Sequence, residues 1–355
     1  MSAGRGADRS GAGAGAGAGE GNGATAADAG ATADGRGADV DGGAGQVAGE
    51  AASQHAGGGT QSDKVAWSEL LPHAFKARLA ERPLVYLPLG LCEPHGQISA
   101  FGLDTRKAEH LCYTVARSHG GIVAPTHEYH IHENGPSAGF LEANIGETNP
   151  HFTGVPSFIF FHFLLYQLRA FHNAGFAGAI VLSGHGGAHI GDLKRVTAAF
   201  AETFDFPVWY GTDFELAGDA YPGDHAGKYE ISVMMHLHPE GIDWDRAALE
   251  AQPGSGGRFA LGPDAGEASA AHGARIVEAC AAALGELSDK MAAGYGGAAA
   301  LEEAERRALI GYDEIEVLWR RLSSQDDWAS IRPREGQQPV AEQSRWKPYE
   351  YARMR

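Results

Sequence analysis

Short apolar runs alternate with segments of helical periodicity from Trp67 onward, and this alternation constrains the fold more than any other feature of the sequence. Four runs predict buried strands: LVYLPL at 84–89, IVAP at 122–125, AIVLS at 179–183 and PVWYG at 207–211. Three segments predict helices between or after them: 104–121, 157–173 and 189–204. Strands and helices in this order indicate an α/β fold, with a mainly parallel sheet flanked by helices.

Composition divides the 355 residues into three regions. Residues 1–63 are rich in glycine and alanine and have almost no large apolar side chain, so we predict a disordered tail, with an interaction or targeting arm as the alternative. Residues 64–325 hold the alternating pattern and are predicted to form one domain, which ends in two long helices at about 265–293 and 299–322. Residues 326–355 lack clear periodicity and are predicted to be a C-terminal extension.

Charge and hydropathy exclude several classes of partner. The formal net charge of −17 disfavours non-specific binding to nucleic acids and to anionic membranes. The densest apolar run, FIFFHFLLY at 158–166, is far shorter than the roughly 20 residues that span a bilayer. The N-terminal stretch is not typical of a signal peptide, and the three cysteines form no CxxC pair. We therefore expect a soluble, cytoplasmic protein that binds neither nucleic acids nor membranes.

Carboxylates and imidazoles follow the predicted strands, where an open parallel sheet binds its ligands. The segment LGLCEPHG at 89–96 places two of them after the first strand, and the turn SGHGG places another after AIVLS. Two more lie five positions apart in GDHAGKYEIS at 223–232. The candidate site residues, with the aspartate that begins the second helical segment, are Glu93, His95, Asp104, His185, His225 and Glu230.

Each of these residues has a simpler interpretation when it is taken alone. Asp104 is typical of a helix N-cap, His185 of a hydrogen-bonding loop residue and Glu93 of a solvated strand end. Together, however, buried carboxylates and imidazoles at adjacent strand ends would be repelled or desolvated without a cation. The cluster therefore favours a metal site.

Four motifs in this order resemble the creatininase (creatinine amidohydrolase) family. Its members carry a strand ending in LPxGxxExHG, an aspartate eleven positions after that glutamate, a GHGGN turn and an HAGxxET segment; here LPLGLCEPHG, LDTRKAE, GHGG and HAGKYEIS stand at these places. The resemblance covers roughly residues 80–245. It implies that 64–325 form a creatininase-like metal-dependent hydrolase domain and that the protein is a homo-oligomer.

The resemblance also implies two metal sites. Glu93, Asp104 and His185 would hold one divalent ion, and His95, the shared Asp104 and Glu230 the second. Mixed carboxylate and imidazole ligands suit Zn²⁺, Mn²⁺ or Fe²⁺. Two such ions can activate a water molecule, and His225 is our candidate to move protons between that water and a leaving nitrogen. A structural histidine bonded to a backbone carbonyl is the alternative for His225.

The chain departs from the family pattern around the expected substrate. QISAFGLD stands where many members have an HLPxxTD-like run, Ala188 replaces the asparagine of GHGGN, and Ile231 replaces the threonine of HAGxxET. In creatininase itself a glutamate two residues after the turn histidine is a metal ligand; that position is Gly187 here, so the fifth ligand is assigned to Glu230. Creatinine is therefore not the predicted substrate.

Two classes of function fit these residues. The first is a metal-dependent amidohydrolase that cleaves a C–N bond of a small cyclic amide, a formamide or a related substrate, with a small-peptide-processing enzyme as a variant. The second is a catalytically silent protein of the same fold that binds a metabolite. The five retained ligand positions favour the hydrolase.

The segment THEYHIHENGPSAG adds three histidines of open role. If it is extended, His130 and His132 lie on one face and His127 on the other. Substrate contact and a polar strand end both remain open, and the five matched positions already fill a two-metal site.

Overall fold

The computed structural model describes residues 63–132, 134–145, 151–250, 260–332, 336, 340–344 and 346. The predicted disordered tail lies outside the described residues except for residue 63, as does most of the predicted C-terminal extension. In chain order the strands are β1 (Leu84–Leu89), β2 (Ile122–Val123), β3 (His130–Ile131), β4 (Gly154–Val155), β5 (Gly178–Ser183) and β6 (Val208–Thr212). The helices are α1 (Pro72–Glu81), α2 (Leu103–His119), α3 (Asn134–Ile145), α4 (Ser157–Asn173), α5 (His189–Phe204), α6 (Asp213–Ala217), α7 (Lys228–Leu237), α8 (Ala247–Glu250), α9 (Ala270–Ala292), α10 (Ala298–Arg306) and α11 (Tyr312–Ser323).

The main sheet has four parallel strands in the order β2-β1-β5-β6. Strands β1 and β5 pair along their whole length, from Leu84 opposite Gly178 to Leu89 opposite Ser183. Strands β3 and β4 form a separate parallel pair. Because β1 and β5 end side by side, the residues that follow them emerge at one edge, as the sequence predicts.

Helices cover both faces of the main sheet. Alternate residues of β1, such as Val85 and Leu87, pack with α4, α5 and α11 on one face. The intervening residues, Leu84 and Tyr86, pack with α2, α7 and α9 on the other. All six residues of β1 are buried, which is typical of a central parallel strand. The predicted α/β class is therefore confirmed.

The predicted helices at 157–173 and 189–204 coincide with α4 and α5. The predicted helix at 299–322 is wrong as a single element, because the backbone is extended at Arg307 and α11 restarts after Gly311. The predicted helix at 265–293 begins later, at Ala270, where the Ser269 side chain accepts a hydrogen bond from the backbone of His272. Helix α3 lies in a segment for which no helix is predicted.

Two further observations concern the ends of the fold. Trp328, within the predicted extension, is fully buried and packs against Phe161 of α4 at 4.9 Å between ring centroids. No helix within the described part of the chain is long and apolar enough to cross a membrane.

Candidate metal centre

The site is built where β1 and β5 end against the start of α2. A side chain at Gly90 would lie 2.3 Å from the backbone of Thr105, and one at Gly184 would lie 2.0 Å from the carbonyl oxygen of Asp104. Only glycine permits this approach, which places the first turn of α2 directly against both strand ends. The N-cap of α2 is Gly102, so Asp104 is not the cap, and its buried carboxylate faces two histidines.

The first group of candidate ligands consists of Glu93, Asp104 and His185, whose donor atoms all lie within 4.8 Å of one another. Nδ1 of His185 is 2.7 Å from Oε1 of Glu93 and 3.3 Å from Oδ2 of Asp104. The hydroxyl of Ser183 accepts a hydrogen bond from the His185 backbone amide and donates one to its carbonyl, so the turn itself is held.

The second group consists of His95, Asp104 and Glu230, and shares Asp104 with the first. Nε2 of His95 is 3.3 Å from Oδ1 of Asp104 and 3.2 Å from Oε2 of Glu230. Nδ1 of His95 lies 3.0 Å from the Glu93 carbonyl oxygen, which can only accept, so this nitrogen donates and Nε2 is left to face the carboxylates.

The buried donor atoms are arranged as ligands of a cation and not as hydrogen-bond partners of one another. Nε2 of His95 and both oxygens of Asp104 are buried, and none has an aligned hydrogen-bond partner among the described residues. Buried polar atoms are normally satisfied, so this cluster requires an explanation. Ligands of a tetrahedral ion with bonds of about 2.0–2.2 Å lie roughly 3.3–3.6 Å apart. The separations of His95 from Asp104 and Glu230 and of His185 from Asp104, at 3.2–3.3 Å, are close to this. The residues present therefore fit divalent metals at both groups.

Charge and burial oppose each other at these groups. Burial alone raises the pKa of the Glu93 carboxyl, but the positive charge of His185 holds that pKa well below its ordinary value. Burial lowers the pKa of His95, and the carboxylates of Asp104 and Glu230 raise it well above its ordinary value. In the metal-free protein the histidines thus carry the positive charge that the carboxylates need, and a metal would replace that protonic charge.

A buried cation that the sequence motifs did not indicate lies beside the second group. Lys107 of α2 is 2% exposed, and its Nζ lies 2.5 Å from Oε1 of Glu230 and 3.4 Å from Oδ2 of Asp213. Burial lowers the pKa of Lys107, but the carboxylate of Asp213, followed by that of Glu230, raises it above its ordinary value. Burial raises the pKa of Asp213 to about 6, although Lys107 opposes that rise. The sequence could have indicated Lys107 as a neighbour of the site, because it lies three residues after Asp104 on the same helical face.

His225, the candidate proton carrier, lies at the rim of both groups. Its Nδ1 is 3.9 Å from Oε1 of Glu93 and 4.0 Å from Oε2 of Glu230, and its side chain is 36% exposed. Its ring centroid is 4.8 Å from that of His95. The following residue, Ala226, has a positive φ of 50° and donates its amide to Glu230. This turn therefore presents His225 to solvent while it anchors Glu230.

A cavity of about 220 Å³ opens beside the first group. Glu93, His185 and His225 form its polar wall, and apolar residues of α3, including Phe140 and Leu141, form much of the rest. The volume is below the range of about 300–1,000 Å³ that is usual for drug-sized ligands, so the cavity suits a small molecule.

The three histidines of open role have different surroundings. His127 stacks on Phe163, away from the candidate ligands, and Gln167 binds its ring. His132 lines the cavity with Nε2 3.5 Å from Oε2 of Glu93. His130 is buried beside His185, with 5.4 Å between ring centroids.

The residues at two departures from the family motifs have different surroundings in this chain. Ile231 is completely buried in a small apolar cluster with Ile98 and Leu103. Ala188 is the N-cap residue of α5, and the next residue, His189, is fully buried.

Comparison with known proteins identifies relatives of this chain. The family model described as creatininase, creatinine amidohydrolase, matches residues 68–288. A 3-dehydro-scyllo-inosose hydrolase from Thermotoga maritima is 26% identical over 184 residues, which cover 46% of this chain and 53% of that protein. The chain thus spans about half the length of this curated relative.

Solved structures show the same fold. A crystal structure of creatinine amidohydrolase (creatininase) matches with a TM-score of 0.51 and 20% identity, over 64% of this chain and 98% of that chain. A manganese form of creatininase matches with a TM-score of 0.51 and 21% identity, over 64% of this chain and 99% of that chain. At these identities the likeness is one of fold.

Proposed function

This chain belongs to the creatininase family, and we propose that it is a metal-dependent amidohydrolase that cleaves a C–N bond of a small cyclic amide, a formamide or a related substrate. The observation that carries the proposal is the pair of buried donor groups that share Asp104 beside a small cavity. The family's described activity supports hydrolysis, and the manganese form of creatininase supports a metal-binding role for this fold.

We propose that Glu93, Asp104 and His185 hold one divalent ion and that His95, Asp104 and Glu230 hold another, with zinc, manganese or iron as the candidates. When bound, such a pair lowers the pKa of water enough to supply a nucleophile at neutral pH. Nδ1 of His95 donates to the Glu93 carbonyl, which keeps Nε2 directed at the carboxylates.

His225 is proposed to carry the proton that hydrolysis must move. Cleavage of a C–N bond adds water across it, so one proton must reach the leaving nitrogen. His225 lines the cavity. Its Nδ1 lies 3.9 Å from Oε1 of Glu93 in the first group and 4.0 Å from Oε2 of Glu230 in the second. An imidazole at this position can accept a proton on one side and return it on the other.

The cavity favours small substrates with a flat apolar face. His132 stacks on Phe152 at 3.8 Å between ring centroids with an interplanar angle of 7°, which makes one rigid aromatic wall beside Glu93. Planar amides and heterocycles pack well against such a surface. A cytoplasmic location and a homo-oligomeric state remain predictions from the sequence and the family.

The proposal is tested first by elemental analysis of the purified full-length protein. We expect at least two equivalents of zinc, manganese or iron per chain in the wild type and in a His127→Gln control, and a loss of about two equivalents in Asp104→Asn. Metal below one equivalent that does not change in Asp104→Asn would contradict the proposal.

Turnover is then measured on lactams, cyclic ureides, formamides, creatinine, dipeptides and 3-dehydro-scyllo-inosose, the last because it is named in the Thermotoga relative. We expect ring opening or deformylation that chelation abolishes and added Mn²⁺ or Zn²⁺ restores. Turnover of dipeptides alone would favour the peptide-processing variant. Binding without turnover of any of these compounds would favour the catalytically silent protein.

A further inference from the structure

Three histidines form a second cluster behind the cavity, and we propose that they bind a third divalent ion. His130 lies on β3, His185 follows β5 and His189 begins α5. Donor atoms of the three rings lie within 4.8 Å of one another, and all three residues are buried. The ring centroids are 5.4, 4.7 and 4.9 Å apart for the pairs 130–185, 130–189 and 185–189.

The nitrogen atoms that face this cluster differ from those that face the carboxylates. Nδ1 of His185 is directed at Glu93 and Asp104, so Nε2 of the same ring points to the other side. Nδ1 of His130 lies 3.4 Å from the carbonyl of Ile131, which leaves its Nε2 as the free donor atom. Both Nε2 atoms are buried, and neither makes a hydrogen bond within the described part of the chain. Such atoms are rare in native interiors unless an ion or a water satisfies them.

The donor set indicates which ion the cluster would take. Three imidazole nitrogens are a ligand set typical of zinc, with bonds of about 2.0–2.1 Å, and they do not suit Ca²⁺ or Mg²⁺, which prefer oxygen.

His185 would belong to two sites at once. The two nitrogens of an imidazole point in opposite directions, so one ring can bridge an ion at the carboxylate group and an ion at the histidine cluster. A bridging ring carries no N–H, and its proton passes to solvent when the third ion binds. Among the described residues that line the cavity, His185 is included while His130 and His189 are not. The third ion would therefore fix the orientation of His185 without contact with the substrate.

The inference is tested by zinc binding at equilibrium. The full-length protein, freed of metal, is dialysed against Zn²⁺ with a weak chelator, and bound zinc is counted for the wild type, His130→Gln, His189→Gln and His127→Gln. His127→Gln is the matched control, since it removes an imidazole of the same segment that stacks on Phe163 and does not belong to the histidine cluster. We expect three equivalents in the wild type and the control, and one fewer in the other two variants. Wild-type saturation at two, or a third equivalent that persists in both variants, overturns the inference.

A zinc-edge anomalous map of wild-type crystals soaked in zinc decides the question even if the variants fail to fold. We expect a peak at about 2.0–2.1 Å from ring nitrogens of all three histidines. Its absence at saturating zinc overturns the inference. This result is separate from the proposed function, because a peak among the histidines does not depend on metal at the carboxylate groups, and peaks at the carboxylate groups alone would support only the hydrolase.

Discussion

The two donor groups that share Asp104 have similar ligands but opposite surroundings. Glu93 and His185 border the cavity, and the nearest further side chains, His132 and His225, are histidines. His95 and Glu230 lie beside Lys107, which is 2% exposed and 2.5 Å from Glu230. The first group depends on protons or metal for positive charge, whereas the second has a permanent cation of its own.

This difference shows how one buried site can hold several carboxylates when no metal is bound. An isolated buried carboxylate costs several kcal/mol, and it changes its protonation state unless a partner is present. Histidines can adjust their charge at the first group, since they gain or lose a proton readily. Lys107 cannot adjust, so we expect the second group to be the more rigid and the first the more responsive.

The largest expected effect removes both groups together. Asp104→Asn takes away the carboxylate that they share, so we expect both of their metal ions to be lost and turnover to fall on the order of 10⁴-fold, equivalent to about 5.5 kcal/mol. Metal analysis and steady-state kinetics measure the two quantities. Retention of both metals in this variant would show that Asp104 is not the shared ligand.

The next effect separates the groups in the metal-free protein. Glu230→Gln leaves Lys107 buried without its closest partner, and we expect a loss of about 3 kcal/mol in the free energy of unfolding. Glu93→Gln is the matched variant; its neighbouring histidines can lose a proton, so we expect a loss of about 1 kcal/mol or less. Urea denaturation compares them. Equal losses would show that Lys107 does not distinguish the groups.

A smaller effect separates chemistry from metal binding. We expect His225→Gln to lower kcat about 10²-fold, equivalent to about 2.7 kcal/mol, because a proton carrier is lost, while the metal content stays that of the wild type. His162→Gln, which removes a half-exposed histidine paired with Glu316 on α11, serves as the control and should keep full activity. Loss of a metal equivalent in His225→Gln would instead make this residue a ligand.

The smallest expected effect concerns the turn that carries His185. Ser183→Ala removes both hydrogen bonds between the Ser183 hydroxyl and the His185 backbone. We expect the first group to bind its metal about tenfold more weakly, equivalent to about 1.4 kcal/mol, and the second group to be unchanged. Stepwise zinc titration resolves the two affinities. A uniform weakening of both groups would indicate that the turn supports the whole site.

The fold could be predicted from local patterns to a large extent. The runs at 84–89 and 179–183 coincide with β1 and β5, because a strand buried on both faces reads as a continuous apolar stretch. The helix at 299–322 could not be predicted correctly, since its apolar positions continue through 307–311 while tertiary contacts end it. The Arg307 side chain donates to the Phe176 carbonyl, and Asn173 binds the backbone of Ile310.

Local sequence patterns are sufficient to predict the layered α/β arrangement and to place six candidate residues at strand ends and helix starts. They do so because burial sets a repeat along each element, and parallel strands carry their following residues to a common edge. Tertiary packing alone brings Lys107 to Glu230 and gathers His130 and His189 around His185. These contacts join residues distant in sequence, and their separations depend on how α2, α5, α7 and β3 pack, which no local repeat encodes.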